Sequence, residues 1–403
     1  MDFMKSLMQP LVKNNPLKKH IIISLVLCLC IVSIGTSAVA GQSFISETGN
    51  QPDEDTWVDE PILTDDPVDE RDPDNEDDVM DEPYVFIPPP EPEFFAPNPL
   101  TGMPIDEEMI RHRPVAVVLS NDPDSLPMNG VSNADIIYEF LVEGGMTRML
   151  GLFQDFSRVP MVGSIRSARH YSVEIAESYD ALFVHAGGSP QGYNEIRNRS
   201  ITNFDEVTSV RRDIFFRTRT RIPGRRLDLL HGVVTTGSRV SEWFPKYNIR
   251  LMHNDDFEQS LLFVEDGTPN GGSVAREAVV RFSGGKSTTF TYSSSENGYR
   301  VLNGRYEFID ANDNSQPYFT NVLVLKTRVS SIQGDNSGRQ NVATVGEGEG
   351  FFICGGRYIE INWSRADKSA PFIYTLKNGS PLELGMGTTY ICIIPINQTV
   401  VFG

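Results

Sequence analysis

Apolar residues run nearly unbroken from Ile21 to Ile34, give way to a polar stretch over 41–96, and return after Pro114 as short periodic runs. Val115-Ala116-Val117-Val118-Leu119 has the continuous apolar character of a strand buried on both faces. Asp135 to Val142 and Thr147 to Phe153 read as two more strands. Ala168 to Tyr179 has helical spacing, and Ala181 to Val184 is again a short strand. Val240, Trp243, Phe244 and Tyr247 recur at i, i+3, i+4 and i+7, one face of a helix. Strands and helices alternate, so residues 97–255 are expected to form a mixed α/β layered domain.

From about Ala278 the pattern is almost all strand. Val279 to Phe282, Ser287 to Tyr292, Tyr299 to Leu302 and Tyr306 to Ile309 are separated by polar turns, with a hairpin signal at Asn303-Gly304. Asn321 to Lys326, Gly350 to Cys354, Tyr358 to Trp363 and Tyr390 to Ile394 continue the series. A β-rich domain over 278–403, joined through 256–277, completes the expected α+β protein. A chain of 403 residues with 39% hydrophobic content is long enough for two or three such domains.

The N-terminus has a different logic. Lys13, Lys18, Lys19 and His20 precede the apolar run, and Ser37-Ala38-Val39-Ala40 follows it before Gly41. Basic flank, apolar stretch and small-residue ending are the parts of a secretory signal. The run to Ala40 is also long enough to span a bilayer. Residues 1–40 are therefore a signal peptide cleaved after Ala40 or a retained membrane anchor, and both stay open. Either way the basic flank lies on the cytoplasmic side and the rest outside. Cys28 follows Leu27 and Cys30 follows Leu29, where a lipoprotein signal needs a small residue, which argues against lipidation.

Charge sharpens the division. The net charge is −19, but residues 41–96 hold 19 acids against one base, Arg71, and residues 1–40 hold one acid and four lysines. Residues 97–403 carry the remaining 34 acids and 30 bases, so the acidity belongs to the stretch before them. That stretch, with Pro88-Pro89-Pro90, has too little apolar surface to offset the entropy of ordering. It reads as a disordered spacer between membrane and folded part, with cation or basic-partner binding as the alternative. Cys354 and Cys392 either form one disulfide or stay as buried thiols in facing strands. The spacings of zinc sites, phosphate loops and dinucleotide folds are missing, as is a basic–aromatic stripe, so no metal, cofactor or nucleic acid is expected.

Candidate chemistry concentrates between 101 and 245, where all sixteen basic residues are arginine. Arginine offers a planar, permanently charged fork for phosphate or carboxylate. Ser164, Arg166, Ser167 and Arg169 follow Gly163 and open the expected helix, where backbone N–H groups favour an anion. The alternative is a capping turn whose arginines hold carboxylates such as Glu139. His185, Gly187, Gly188 and Ser189 lie between a strand and a helix, and glycine there lets backbone approach a ligand. Ser189 lacks the glycine of a nucleophile elbow, and His185 is either an acid–base group or a hydrogen-bonded core histidine. Glu139 and Glu143, four apart on one strand, would face one side, with Arg148 or Arg166 as partner. These groups are expected to converge on one cleft.

Several of these runs resemble the YerB-like lipoprotein family of bacteria. The likeness rests on Asn98-Pro99-Leu100-Thr101-Gly102, Arg113-Pro114-Val115-Ala116-Val117 and Ala134-Asp135-Ile136-Ile137-Tyr138-Glu139. It continues in Val142-Glu143-Gly144-Gly145-Met146-Thr147-Arg148, Val162 through Arg169, and Val184-His185-Ala186-Gly187-Gly188-Ser189-Pro190. In the second half it includes Asn321-Val322-Leu323-Val324, Gly346-Glu347-Gly348 and Gly385-Met386-Gly387-Thr388. Where that family carries aromatic-Arg-Asp and Pro-His-Asn, this chain has Phe216-Arg217-Thr218 and Leu230-His231-Gly232, so only His231 matches. The resemblance implies an α/β first half and a β-rich second half, with His231 as a further site residue; it implies no reaction. Residues and resemblance together point to an extracytoplasmic cell-envelope protein that binds an anionic envelope ligand, phosphate or carboxylate, through an arginine-lined pocket. An envelope enzyme acting on phosphodiester-linked wall-polymer precursors is the alternative.

Overall fold

A computed structural model describes residues 95–208, 214–219 and 226–403. The expected signal or anchor (1–40) and all but the last two residues of the expected spacer lie outside that range. Those two, Phe95 and Ala96, form with Pro97 a short strand paired antiparallel to Pro104–Asp106. Among the described residues no helix is long and apolar enough to cross a membrane.

Residues 115–205 supply five strands of the main sheet and two helices: β1 (Val115–Ser120), β2 (Ile136–Leu141), β3 (Thr147–Phe153), helix α1 (His170–Ser178), β4 (Leu182–His185), helix α2 (Pro190–Asn198) and β5 (Asn203–Asp205). A third helix, α3 (Gly237–Lys246), buries Val240 as its spacing requires. Beyond it come β6 (Ser273–Val274), β7 (Glu277–Arg281), β8 (Ser287–Ser293), β9 (Gly298–Asn303), β10 (Tyr306–Glu307), β11 (Tyr318–Phe319) and β12 (Asn321–Thr327). A hairpin arm, β13 (Val329–Ser331) and β14 (Gln340–Val342), precedes β15 (Gly346–Cys354), β16 (Arg357–Arg365), β17 (Ile373–Leu376), β18 (Thr389–Pro395) and β19 (Val400–Phe402). Strands dominate and helices are few, so the α+β expectation holds.

The two sequence halves share one sheet. Its eleven strands run β6-β16-β15-β12-β18-β2-β3-β1-β4-β5, with β17 beside β16. The seam is the parallel pair β2–β18, where Glu139 lies opposite Cys392 and Ile137 opposite Tyr390. Residues 95–403 accordingly belong to one compact unit. Apolar side chains alternate between the faces of this sheet, as strand geometry demands. Val115, Val117, Leu119 and Ile137 meet Val280, Phe290 and Val301 of a second, six-stranded sheet. Ala116, Val118, Tyr138 and Phe140 meet Tyr171, Ile175 and Ile196 of α1 and α2.

This alternation decides the cysteine question. Asn321 of β12 lies opposite Cys354 and Val324 opposite Cys392. An odd separation along β12 puts the two sulfurs on opposite faces, one in each core. Both thiols are free and buried, so the disulfide alternative is set aside. Burial pushes both up, Cys354 to about 12, so neither is a ready thiolate.

Candidate functional site

β1, β2, β4 and β5 all run in one direction, because β3 lies antiparallel to both β1 and β2. Their carboxyl ends therefore share one edge of the sheet, the place where α/β layers gather ligands. The segment 164–169 and the loop 185–189 lie there side by side. Ser120 N donates to Ser164 O (2.9 Å), Arg166 N to Val118 O (2.8 Å) and Ala186 N to Arg166 O (3.0 Å). Ala168 N donates to Gly187 O (2.9 Å) and Ser189 N to Ala168 O (3.0 Å). Gly187 has φ +73°, and a side chain added there would stand 3.6 Å from Ser167 Oγ. Gly188 lies against the Tyr193 ring.

Three arginines of the expected set meet at this edge. Arg148, at the start of β3, donates through Nη1 to Ser167 O (2.7 Å). Arg169 donates through Nη1 to Ala168 O (2.9 Å) and through Nη2 to Glu143 (2.5 Å). Arg166 donates to Leu230 O (2.9 Å), beside His231. Burial pushes Arg148 down to about 9; the charges of Arg169 and Arg166 push the same way, and Glu143 opposes them. Arg166 is also lowered by burial, and Arg169 adds to this against Asp122 and Asp228. Burial is the larger cause at both arginines, and at Arg166 the pull of Asp122 and Asp228 exceeds the push of Arg169. Arg339 adds a fourth from the second half, 3.6 Å from Glu143 and 2.8 Å from Asp335.

Other candidates take up structural posts. Glu139 is fully buried on the opposite face, toward the six-stranded sheet, and does not line the edge. Asn121 Nδ2 and Thr147 Oγ1 donate to its Oε1, both at 2.7 Å. Thr288 Oγ1 and Tyr390 OH donate to Oε2, both at 2.8 Å, and Lys286 Nζ stands 3.5 Å away. Its cation is thus Lys286, not an arginine. Glu143 does not share its side, because β2 ends at Leu141 and the chain turns through Glu143–Gly145, with Gly144 left-handed. Arg169, expected as an open clamp, is only 7% exposed and serves as a strut under Glu143.

Ser189 caps α2 by accepting from Gly192 N (3.0 Å) and is buried, the post of a structural hydroxyl. His185 is buried, with Nδ1 2.8 Å from Gly187 O and Nε2 3.2 Å from Asn203 Oδ1. Burial lowers its pKa against the pull of Asp205, so it is the core histidine of the two readings. Ser164 is buried with no hydrogen-bond partner for Oγ among the described residues. His231 N donates to Asp228 Oδ1 (3.0 Å), and its side chain lines a cleft of about 230 Å³ with Asp124, Arg226 and Asp228. Among the described residues no three His, Cys, Asp or Glu side chains gather as metal ligands.

Residues 100–246 match the family model described as "Protein of unknown function (DUF3048) N-terminal domain", and residues 278–391 match the corresponding C-terminal domain. The chain belongs to the DUF3048 family. The protein named "Putative lipoprotein YerB" from Bacillus subtilis (strain 168) is 27% identical over 304 residues, 74% of this chain and 86% of that protein. The crystal structure of YerB from Bacillus subtilis shares the fold, with a TM-score of 0.63 at 24% identity over 76% of this chain and 99% of that one. The two DUF3048 matches fall on either side of 247–277, yet the strands they contain join in one sheet.

Three residues absent from the sequence reading matter in this DUF3048 fold: Asp205 and Arg339 at the edge, and Lys286 beside Glu139 on the opposite face. Asp205 accepts from Gly187 N (2.7 Å), Val207 N (3.0 Å) and Tyr193 OH (3.0 Å), and so holds the glycine loop open. Its position at the end of a short strand was a usable signal. Arg339 and Lys286 offered none, because each reaches a carboxylate far away in sequence.

Proposed function

We propose that this DUF3048 protein works outside the cytoplasm and binds an anionic ligand, a phosphate or carboxylate of the envelope, at the edge formed by Arg148, Arg166, Ser167 and the Gly187 loop. The observation that carries this reading is the arginine cluster itself. Burial pushes Arg148 and Arg166 down and Arg169 adds to this at both, against Glu143 at Arg148 and the larger pull of Asp122 and Asp228 at Arg166, while Glu143 bonds Arg169. Positive charge held together at such a cost calls for an anion to offset it. The N-termini of α1 and α2 reach the same edge, with Arg169 and Ser189 at their caps. Helix N-termini and arginine forks favour the same charge sign.

An extracytoplasmic or membrane-anchored location is supported by the signal-like N-terminus and by the lipoprotein name of the Bacillus relative. Binding is favoured over phosphoryl transfer because the groups that could do chemistry are otherwise engaged: Ser189 as a cap and His185 within the core. The test is isothermal titration of the chain with inorganic phosphate and with a muramic-acid carboxylate. Arg166→Ala should weaken binding by about 2–5 kcal/mol, the cost of breaking a desolvated charge contact. Unchanged affinity in Arg166→Ala and Arg148→Ala would remove the proposal.

A further inference from the structure

Beside the arginine edge runs a groove of about 540 Å³, between α2 and the β13–β14 arm. That volume is in the range of small-ligand sites. On the helix side, Gln191, Asn194 and Asn198 follow one another at helical spacing, so their amides form a row. The arm presents Ser330, Gln333 and Asn341 across from them. Among the described residues Ile332 is the one hydrocarbon side chain of the lining, which includes neither lysine nor arginine, although Arg197 donates to Asn194 Oδ1 at its rim. The acid, Glu195, is neutralised by Lys368 at 2.7 Å.

Two lining residues carry unused capacity. Gln191 Oε1 and His170 Nδ1 are buried without a hydrogen-bond partner among the described residues. A buried polar atom left in this state costs free energy, and since neither is open to solvent, a ligand meets one only when its side chain turns into the groove. A side-chain amide has both donor and acceptor, the pairing that neighbouring sugar hydroxyls or an N-acetyl group offers in return. A peptide would need apolar pockets for its side chains, and one isoleucine does not provide them.

The groove and the arginine edge share walls. His170 directly follows Arg169, and its Nε2 lies 2.9 Å from Asn341 Oδ1 of the arm. The same arm brings Arg339 to within 3.6 Å of Glu143, the carboxylate that bonds Arg169. We propose that the groove binds an uncharged stretch of a glycan chain, and that the anionic group of the same chain sits on the neighbouring arginines. This deepens the anion-binding reading and rests on it for the charged end only.

The experiment uses the full chain and two probes, a neutral chitooligosaccharide and inorganic phosphate, followed by backbone-amide NMR shifts. The chitooligosaccharide should shift signals of α2 and of 330–333. The exposed pair Asn194→Ala with Asn198→Ala, which favours helix, should weaken that binding about tenfold or more, as expected when two hydrogen-bonding amides are lost. It should leave phosphate binding unchanged, and Arg166→Ala should do the reverse. If phosphate binds and the oligosaccharide shifts nothing in the groove, the glycan inference falls and the anion reading stands. Oligosaccharide binding that ignores the asparagine pair also overturns the inference. If the oligosaccharide binds in the groove and phosphate does not bind, the groove assignment is supported and the anion reading falls.

Discussion

Replacing Glu139 by glutamine keeps the side-chain shape and removes the charge from the seam between the two halves. In the native protein the carboxylate accepts from Asn121, Thr147, Thr288 and Tyr390 and faces Lys286. Lys286 and Asn121 are further tied through Asn303. A glutamine offers one acceptor oxygen, which will face Asn121, since an amide N–H cannot reverse its role. Its NH₂ then meets the hydroxyls of Thr288 and Tyr390, which must rotate to accept. Lys286, whose side chain is 12% exposed, is left without a carboxylate. Removing one partner of a buried ion pair costs about 3–5 kcal/mol. This is a large share of a total stability of about 5–15 kcal/mol. Urea unfolding should show the midpoint falling with an unchanged slope. Lys286→Met should cost less, because Glu139 retains four donors, and the double variant should be less destabilised than the sum of the two. A loss below about 1 kcal/mol in Glu139→Gln, or strict additivity, would mean that the seam does not depend on this charge.

Three further outcomes follow from the same geometry. Asp180 is raised by burial but lowered further by hydrogen bonds from His253 and Arg250 and by the Arg113 charge, ending at about 2. A carboxylate lowered on folding stabilises above its unfolded pKa of about 4 and loses that contribution as pH falls toward about 2, a term of about 1–2 kcal/mol after allowance for partial exposure. Asp180→Asn should therefore flatten the acid limb of a stability–pH curve between those values, and an unchanged limb would refute the assignment. Alkylation of Cys354 and Cys392 should be absent in the native protein and complete in denaturant without reductant, read by peptide mass; a disulfide-linked peptide pair would contradict the opposed-face geometry. Arg169→Ala should lower the melting temperature through loss of the Glu143 strut, whereas Arg166→Ala should melt near the parent temperature.

Much of the fold was legible because burial leaves a plain mark on the sequence. Val115 to Leu119 reads as a strand buried on both faces and is one. The helical spacing of 168–179 became α1, and the loop with glycines at 187 and 188 separates a strand from a helix as expected. Pairing was harder to see. Nothing in the chain around Ile137 announces Tyr390 as its neighbour, because a parallel seam between distant strands has no local turn to mark it. The same gap explains the cysteines: their faces follow only once both flank β12. Glu139 and Glu143 were placed on one side by a two-residue period, which failed where β2 stops and Gly144 turns left-handed. The clustering of Arg148 and Arg169 was readable, since each sits at the end of an element, whereas Arg166 lies in the segment between Gly163 and the helix that opens at His170. The burial of Arg169 was not, since the Glu143 it bonds is also approached by Arg339 of the other half.

Anion binding at the arginine edge can be seen without knowing the natural ligand. Crystals grown with selenate, an anomalously scattering analogue of sulfate and phosphate, test it most directly. An anomalous peak is expected within hydrogen-bond reach of Arg148 and Arg166, adjoining Ser167 and the Gly187 loop, and should disappear in Arg166→Ala. Selenate sites elsewhere on the surface, with that edge empty in crystals whose packing leaves it open, would contradict the account.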